Sequence, residues 1–332
     1  MPPDFTAGVV GATGYAGAEV VGILADHPRI NPTYLTSRSF IGDRIDEVYP
    51  RFTGRIENRC EKLDLERLSE LDVVFLAVPH GTSMDIIPFL HDKDVLVVDL
   101  AADYRFNSAG SFEEVYGMDH RDASHVEEAV YGLAEYNRER VAGAELVANP
   151  GCYATAALMG LYPLLNAGLI EEPVYIDAKS GITGAGRSPK PATTFVNCNE
   201  DIKPYKVGNH RHQPEIVEHL PAEVSSLKFV PHVIPADRGI EAALYFTHSG
   251  DRKEVETCLK DEADNHELIR YRNQPAGIKA VAGSPYCDLA VQSDAAGTVV
   301  FSCLDNLQKG AASQAVQNAN LMLDLDINTG LV

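Results

Sequence analysis

The sequence predicts an α/β protein: a Rossmann-type doubly wound parallel sheet, followed by an α+β domain on a mainly antiparallel sheet. Three observations predict this fold. The first third alternates short, continuously apolar runs with helix-like segments, as parallel strands covered on both faces do. The first apolar run leads into a glycine-rich turn. Beyond about residue 150, strand-like segments follow one another closely.

The elements of the first domain follow from the spacing of apolar residues. Val20, Val21, Ile23 and Leu24 recur at helical spacing, which predicts a helix over 16–25. Apolar runs predict strands at 5–10, 72–78, 95–100 and 146–148, and the segment 33–36 is a further strand candidate.

The second domain contains short strands and few helices. An uncharged stretch, 149–170, is interrupted by prolines and lacks basic flanks, so it predicts a buried core helix ending near Pro163 rather than a membrane span. The last segment, 309–325, carries one apolar face and is expected to pack back on the first domain. Two domains are predicted. The first is the dinucleotide-binding domain, residues 1–148, on which 308–332 packs back, and the second is the catalytic and oligomerisation domain, residues 149–307. Further strands are expected at 174–178, 227–234, 241–248 and 298–304, a helix at 251–265 and a long loop at 181–214.

Composition narrows the class of protein. Asp and Glu outnumber Lys and Arg by 48 to 28, giving a formal charge of −20, which disfavours nucleic acid and anionic membranes as partners. Six scattered cysteines form no CxxC pair, and the N-terminus has no basic, apolar leader. We therefore expect a cytoplasmic protein without a disulfide framework.

A glycine fingerprint follows the first strand. Gly11, Gly14 and Gly17 form a GxxGxxG pattern that opens a helix, where backbone N–H groups meet a pyrophosphate. The alternative is a purely structural glycine turn. The strand–turn–helix context favours dinucleotide binding.

The end of the second strand indicates which dinucleotide binds. NAD-binding proteins place an acidic residue there for the ribose 2′-hydroxyl, whereas this chain has Ser37-Arg38-Ser39. A guanidinium between two hydroxyls suits a 2′-phosphate, so we expect NADP(H). The alternative is that Arg38 is a solvated loop residue.

One cysteine differs from the other five by its local context. Cys152 follows the strand at 146–148 and opens the uncharged helix, where the helix dipole and N–H groups stabilise a thiolate or an oxyanion. The other cysteines, at 60, 198, 258, 287 and 303, are read as small buried hydrophobic residues. Burial remains the alternative for Cys152 too.

Two histidines lie in the polar stretch 208–215. His210 and His212 at this spacing are candidates for proton transfer near a nucleophilic cysteine. The sequence offers them no Cys or His at a suitable second spacing, so we expect no metal site.

Two other segments have the composition of anion sites. The Ser180–Lys190 loop is glycine-rich and is expected to turn its N–H groups inward as a nest, with Arg187 and Lys190 adding positive charge. Arg105 follows the strand at 95–100 and is expected at the carboxyl edge of the sheet, where ligands bind. An ion pair with Asp103 is the alternative for Arg105.

Taken together, these motifs resemble the N-acetyl-γ-glutamyl-phosphate reductase family of the aspartate-semialdehyde dehydrogenase superfamily. The resemblance covers nearly the whole chain: GATGYAG at 11–17, SRS at 37–39, AVPHG at 77–81, ADYRF at 102–106, NPGCYAT at 149–155, SGITGAGR at 180–187, GNHRHQPE at 208–215 and DNLQKGAA at 305–312.

The resemblance implies roles for some of the matching positions, with NADP at the glycine turn. It implies that Cys152 is the nucleophile, that a histidine of the HRH motif is the acid/base, and that Asn306 lies near the nicotinamide. The mechanism we expect uses His212 for the proton transfer, with His210 as the alternative. The expected cofactor contacts are Gly11, Ala12, Thr13, Gly14, Tyr15, Ala16, Gly17, Ser37, Arg38, Ser39, Pro79, His80, Gly81, Ser180, Gly181 and Asn306. The expected substrate or phosphate contacts are Arg105, Asn149, Gly184, Arg187 and Lys190.

The resulting hypothesis is an NADPH-dependent reductase of an acyl phosphate that acts through a cysteine thioester, in a homo-oligomer (dimer or tetramer). Its partners are then the small acyl phosphate and inorganic phosphate. Three alternatives stay open: a reductase of carrier-protein-linked glutamyl or aminoadipyl phosphate, an aspartate-semialdehyde dehydrogenase, and a non-catalytic NADP-binding regulator.

Overall fold

The structure is a computed structural model that describes residues 3–248 and 250–332. They form two compact units, the first made of residues up to 150 together with 311–332, and the second of residues 151–310. Within the described residues, no helix combines the length and apolar character needed to cross a bilayer.

The first unit is built on a seven-stranded sheet in which every pairing is parallel. β1 lies between β2 and β4, so the chain changes direction across the sheet at β1, as in a doubly wound fold. The prediction of a Rossmann-type sheet is confirmed. In the spatial order β3-β2-β1-β4-β5-β7-β6, the strands are β1 (Phe5–Val10), β2 (Ile30–Thr36), β3 (Cys60–Glu61), β4 (Val73–Leu76), β5 (Leu96–Asp99), β6 (Val130–Tyr131) and β7 (Leu146–Ala148).

The helices of the first unit are α1 to α6 and α11, and those of the second are α7 to α10. Helix α11 packs against α1, α6 and β5 within the first unit. The helices are α1 (Tyr15–Leu24), α2 (Ile45–Val48), α3 (Leu65–Leu68), α4 (Ile87–His91), α5 (Ala109–Tyr116), α6 (Arg138–Ala142), α7 (Cys152–Asn166), α8 (Phe195–Cys198), α9 (His212–Glu218), α10 (Arg252–Asn265) and α11 (Ser313–Met322).

The strands of the first sheet are apolar on both faces because both faces are covered. In β4, Val73 and Phe75 belong to the core that includes α1 and α11. Val74 and Leu76 belong to the core that includes α4. This alternation explains why the strand reads as an uninterrupted apolar run.

The second unit has a mixed seven-stranded sheet in which antiparallel pairs outnumber parallel ones, as predicted. Helix α7 packs on β11 and β14. The approach is close at Gly160, where a Cβ atom would lie 2.4 Å from Leu244 Cδ1. In the order β12-β13-β14-β11-β8-β10-β9, the strands are β8 (Glu171–Ser180), β9 (Lys203–Pro204), β10 (Leu227–Val233), β11 (Ile240–Thr247), β12 (Ile269–Tyr271), β13 (Cys287–Asp294) and β14 (Gly297–Leu304).

Three local predictions need correction. Helix α7 continues through Pro163 to Asn166, because its apolar residues stay buried although the proline gives up one main-chain hydrogen bond. The last helix is shorter than predicted, since a π-helical turn, Gln308–Ala312, precedes α11. Cys258 is only half-buried, because it lies on the amphipathic helix α10, whose buried residues are Val255 and Leu259.

Candidate active site

The glycine turn joins β1 to α1 in the first unit. Gly11 has a φ of +82°, and a Cβ atom there would lie 2.3 Å from the carbonyl oxygen of Ala77. A Cβ atom on Gly17 would lie 2.3 Å from the carbonyl oxygen of Gly11. Only glycine therefore allows the turn to approach β4 and α1 to begin against the turn. Gly14 is the N-cap of α1, and Ala12, Thr13, Tyr15 and Ala16 complete the segment.

Hydroxyl groups connect this turn to the end of β2. The Thr13 and Ser37 hydroxyls lie 2.7 Å apart. Ser37 Oγ also accepts hydrogen bonds from the N–H groups of Ser39 and Phe40, which shapes the bend after β2. Arg38, at this bend, is exposed. The structure thus brings together three residues predicted to contact the cofactor, Thr13, Ser37 and Ser39.

The steric role of Gly17 leads to a stability prediction. Gly17→Ala is expected to lower the free energy of unfolding by about 2 to 3 kcal/mol, because α1 must move away from the turn. Gly14→Ala is the matched control: its Cβ atom would lie 3.3 Å from the same carbonyl oxygen, and its φ of −73° suits any residue. Urea unfolding compares them, and equal losses in the two variants would contradict the steric argument.

A second predicted cofactor segment follows β4. Pro79 is exposed, while the His80 ring contacts the Tyr116 ring edge-on at 5.0 Å. Gly81 is buried with a φ of +83°, and its N–H donates to the Asp103 carboxylate at 2.8 Å. The loop therefore has a defined conformation at the carboxyl edge of the sheet.

Cys152 is the first residue of α7, in the second unit. Gly151 is the N-cap of that helix, and the Cys152 side chain is partly exposed. A Cβ atom on Gly310 would lie 2.8 Å from Cys152 Cβ, so only glycine leaves room for the cysteine there. A thiol in this position faces the positive end of a fifteen-residue helix, which favours the thiolate.

Tyr153 connects the start of α7 to the HRH motif. Its ring contacts His210 at 5.6 Å and His212 at 5.9 Å between ring centroids, and its hydroxyl donates to the carbonyl of His232 at 2.9 Å. The Tyr205 hydroxyl donates to the Tyr153 hydroxyl at 3.5 Å. Both histidines are thus packed around the residue that follows Cys152.

The two histidines differ in environment. His210 is buried, and burial, followed by the neighbouring His212, lowers the pKa of His210 to about 3. Its Nδ1 accepts a hydrogen bond from the His212 N–H at 3.1 Å, as a neutral imidazole can. His212 begins helix α9 and is partly exposed.

Sequence reasoning missed a fully buried carboxylate beside the nucleophile. Glu215 Oε1 accepts a hydrogen bond from the Gly151 N–H at 2.7 Å, directly before α7. The signal was available, because Glu215 closes the GNHRHQPE motif three residues after His212. Tyr205 and Gly310 were missed as well; Gly310 belongs to the DNLQKGAA motif, whereas the position of Tyr205 does not stand out in the sequence.

Asn306 lies among the residues predicted with it. Its amide donates to Thr183 Oγ1 at 3.0 Å and accepts from the Gly239 N–H at 2.8 Å. A Cβ atom on Gly184 would meet both Ser180 Oγ and Asn306 Nδ2 within 4 Å. The structure therefore brings the predicted residues of the 180–184 loop to Asn306.

The predicted nest in this loop is wrong for its first part. The N–H groups of Gly181, Ile182 and Thr183 donate to the carbonyls of Gly239, Ala236 and Asp237. These groups pair with residues 236–239, because the loop leaves β8 beside the connection between its two neighbouring strands, β10 and β11. They do not turn together toward a ligand.

The predicted anion contacts fall into two groups. Arg105 is buried, and its guanidinium donates to the carbonyls of Asn149 and Leu100 at 2.8 and 2.9 Å. The Asn149 side chain accepts from Asn318 and donates to the carbonyl of Ala311. Both residues are therefore committed to protein groups.

Two cations of the 180–190 loop are exposed instead. Arg187 is exposed, and Lys190 Nζ donates to the carbonyl of Ala185 at 2.9 Å while remaining exposed.

Across the part of the chain that the structure describes, no group of three His, Cys, Asp or Glu side chains is arranged to hold a metal ion.

Comparisons with known proteins match two family domains, one in each compact unit of the structure. Residues 6–144 match the NAD binding domain of semialdehyde dehydrogenases, and residues 152–306 match their dimerisation domain. The structure is similar to that of aspartate semialdehyde dehydrogenase II from Vibrio cholerae, with a TM-score of 0.75 at 18% identity, covering 97% of this chain and 99% of that one. That likeness supports the fold.

Curated relatives are much more similar in sequence. An N-acetyl-γ-glutamyl-phosphate reductase from Desulforudis audaxviator is 45% identical, covering 98% of this chain and 97% of its own. Another from Desulforapulum autotrophicum is 41% identical, covering 97% of this chain and 96% of its own. The resemblance drawn from the motifs is confirmed, and the chain belongs to the N-acetyl-γ-glutamyl-phosphate reductase family.

Proposed function

We propose that this protein reduces N-acetyl-γ-glutamyl phosphate to N-acetylglutamate semialdehyde and inorganic phosphate with NADPH, a step of arginine biosynthesis. Membership of the family supports the substrate and reaction class. The single observation that carries the chemistry is the position of Cys152 at the start of α7, with the HRH histidines packed around Tyr153.

The cofactor is NADPH, which supplies the hydride when bound. The residues of the first unit fit it: the turn at Gly11 and Gly17 has no room for side chains, and the bend after β2 presents the exposed Arg38 between two serines. Arg38 and the hydroxyl groups next to it are proposed to hold the 2′-phosphate. The first unit is then the dinucleotide-binding domain, and the second the catalytic and oligomerisation domain.

Arg38→Ala is expected to weaken NADPH binding by about 30- to 100-fold and NADH binding by less than about threefold. The guanidinium contributes a charge-assisted contact to the 2′-phosphate, which NADH lacks. Arg59→Ala, another arginine of the first unit, is the control. Calorimetric titration of both dinucleotides measures the effect, and an equal loss for NADH and NADPH would overturn the cofactor assignment.

The proposed chemistry on Cys152 has two stages. The thiolate attacks the γ-carbonyl carbon, the bond from that carbon to the phosphate oxygen breaks, and phosphate leaves with the electron pair. The product of this stage is a thioester on Cys152. After reduction, the thiohemiacetal re-forms its carbonyl, releases the semialdehyde and returns the electron pair to sulfur.

We assign the proton transfers to His212 and a structural role to His210. A histidine with a pKa of about 3 is neutral at pH 7, so His210 has no imidazolium proton to donate. His212 is partly exposed and begins α9. The His210 ring accepts a hydrogen bond from the main-chain N–H of His212. His210 is therefore proposed to orient His212.

The anion contacts are proposed on the same basis. Arg187 and Lys190, on the exposed part of their loop, are the proposed holders of the substrate's phosphate or carboxylate groups. Arg105 and Asn149, whose polar groups bind main-chain or amide partners, are proposed to shape the turn that precedes Cys152.

A homo-oligomer is indicated by the match to a dimerisation domain. We propose a dimer formed through the outer face of the second sheet, where Tyr175 and Tyr245 are cross-strand neighbours and both exposed. Two adjacent exposed tyrosines on a sheet face are typical of a protein interface. We also propose a cytoplasmic location, where a reactive thiol stays reduced.

The reverse reaction tests the proposed function most simply. The enzyme is mixed with NADP, phosphate and N-acetylglutamate semialdehyde, and NADPH absorbance is followed. Fast NADPH formation with this aldehyde, at least about 100-fold above that with a carrier-linked or an aspartyl aldehyde, is expected. A higher rate with either of the other aldehydes would assign the substrate differently, and no reaction with any of them would favour a non-catalytic NADP-binding protein.

A further inference from the structure

Two buried carboxylates lie on one turn of the first unit, at the carboxyl end of β5. Asp99 is 0% exposed and Asp103 is 1% exposed. Neither has a role in the chemistry proposed above. Burying two carboxyl groups side by side is costly unless their partners are well arranged, so the arrangement calls for a physical explanation.

Both carboxylates bind the loop that follows β4. The Gly81 N–H lies 2.8 Å from each oxygen of Asp103, and Ser83 Oγ donates to Asp99 Oδ1 at 2.7 Å. Arg121 donates to the Gly81 carbonyl from the other side. The 79–83 loop is thereby held at Gly81 by Asp103 and at Ser83 by Asp99.

This loop lies at the edge of the sheet where ligands of doubly wound proteins bind. It follows β4, the neighbour of β1, and so lies next to the strand that leads into the glycine turn. Pro79, His80 and Gly81 are the residues of this loop expected to contact NADPH. Holding Gly81, whose φ is +83°, holds the loop in one conformation.

The two carboxyl groups have unequal partners. Asp103 accepts the Gly81 N–H with both oxygens. Asp99 Oδ1 accepts from Ser83 and from the Ala101 N–H, whereas Asp99 Oδ2 has no hydrogen-bond partner among the residues that the structure describes. An oxygen without a donor suits a protonated carboxyl better than an ionised one.

The electrostatics agree with this geometry. Burial, and next the negative charge of Asp103, raise the pKa of Asp99 to about 7. Burial also raises the pKa of Asp103, against the opposing effects of the Gly81 N–H, His120 and Arg105. Tyr104 lies in the same turn; burial raises the pKa of its phenol, and its hydroxyl donates to the Asp122 carboxylate at 2.6 Å.

We propose that Asp99 and Asp103 are positioning residues for NADPH, with Asp103 holding Gly81 as the anion and Asp99 accompanying it as the neutral acid. This inference rests on the proposed cofactor role of the 79–83 loop. Ionisation of Asp99 places a second negative charge beside Asp103 and weakens the hold on the loop. NADPH affinity is then expected to fall as the pH rises through about 7.

Asp99→Asn imitates the neutral acid and cannot ionise. We expect the NADPH dissociation constant of the wild type to rise about threefold to tenfold between pH 6.5 and 8.5, and that of Asp99→Asn to change by less than half as much. Asp103→Asn loses the anionic acceptor, so its NADPH dissociation constant is expected to be about tenfold higher than that of the wild type at pH 6.5. Calorimetric titration with NADPH measures all three proteins.

The variant Arg38→Ala separates failure of this inference from failure of the proposed function. If Arg38→Ala weakens NADPH while Asp99→Asn keeps the pH dependence of the wild type, or Asp103→Asn binds like the wild type, the positioning role is wrong and the cofactor site stands. If Arg38→Ala leaves NADPH affinity unchanged, the proposed cofactor site itself is wrong.

Thermal unfolding provides an independent check that needs no cofactor. An acid whose pKa is raised by folding costs stability as the pH rises from its ordinary value near 4 to its raised value near 7. The melting temperature of Asp99→Asn relative to the wild type is therefore expected to be higher at pH 8 than at pH 5. An equal difference at both pH values would overturn the assignment of Asp99 as the neutral acid.

Discussion

Cys152→Ser is expected to lower the rate of NADPH oxidation by at least about 10⁴-fold while leaving the NADPH dissociation constant within about twofold of the wild type. A serine hydroxyl is not ionised at neutral pH, and the field at the start of α7 does not lower its pKa enough to change this. The variant is measured by steady-state NADPH oxidation with N-acetyl-γ-glutamyl phosphate and by calorimetric titration.

A matched control is available in the same unit. Cys258, on α10, is the other half-buried cysteine, and Cys258→Ser is expected to retain full turnover. Near-normal turnover in Cys152→Ser would end the covalent mechanism. Loss of NADPH binding in that variant would show instead that the residue acts through cofactor binding.

His212→Asn is expected to lower kcat by about 10²- to 10³-fold, because collapse of the thiohemiacetal then lacks a positioned proton donor and acceptor. His210→Asn is the informative comparison. His210 is neutral at pH 7, and its contribution is the hydrogen bond it accepts from the His212 N–H. His210→Asn is therefore expected to lower kcat about tenfold. The pH of half-maximal rate is expected to stay within about 0.5 units of the wild-type value.

The two variants together decide the assignment of the acid/base. A larger loss of kcat in His210→Asn than in His212→Asn would transfer the proton chemistry to His210. It would also mean that the environment of His210 changes when substrate binds, since a buried histidine of low pKa does not donate a proton at pH 7.

The elements that were predicted correctly are those whose signal is local. Strands β4 and β5 are buried, so β4 reads as an unbroken apolar run and β5 as an apolar run that ends at Asp99. Gly17 is required by a backbone contact within the turn, at Gly11, so the spacing of the two glycines shows in the sequence, although the contact of Gly11 itself is with the distant Ala77. The position of Cys152 at a helix start followed from the strand before it and the uncharged helix after it.

The features that were missed depend on contacts between distant segments. Glu215 reaches the Gly151 N–H, and Asp103 reaches the Gly81 N–H across 22 positions. Arg105 has the same appearance in the sequence whether it faces a ligand or donates to the Asn149 carbonyl. Only the folded chain distinguishes these cases, because side-chain pairing at long range leaves no periodic pattern.

The central claim is that Cys152 carries the acyl group. The direct measurement mixes the enzyme with N-acetyl-γ-glutamyl phosphate in the absence of NADPH and follows phosphate release together with the mass of the peptide that contains Cys152. We predict one equivalent of phosphate per subunit in a rapid burst, an acyl adduct on Cys152, and neither in Cys152→Ser. Phosphate release that waits for NADPH, or a peptide of unchanged mass after the burst, would contradict the thioester mechanism.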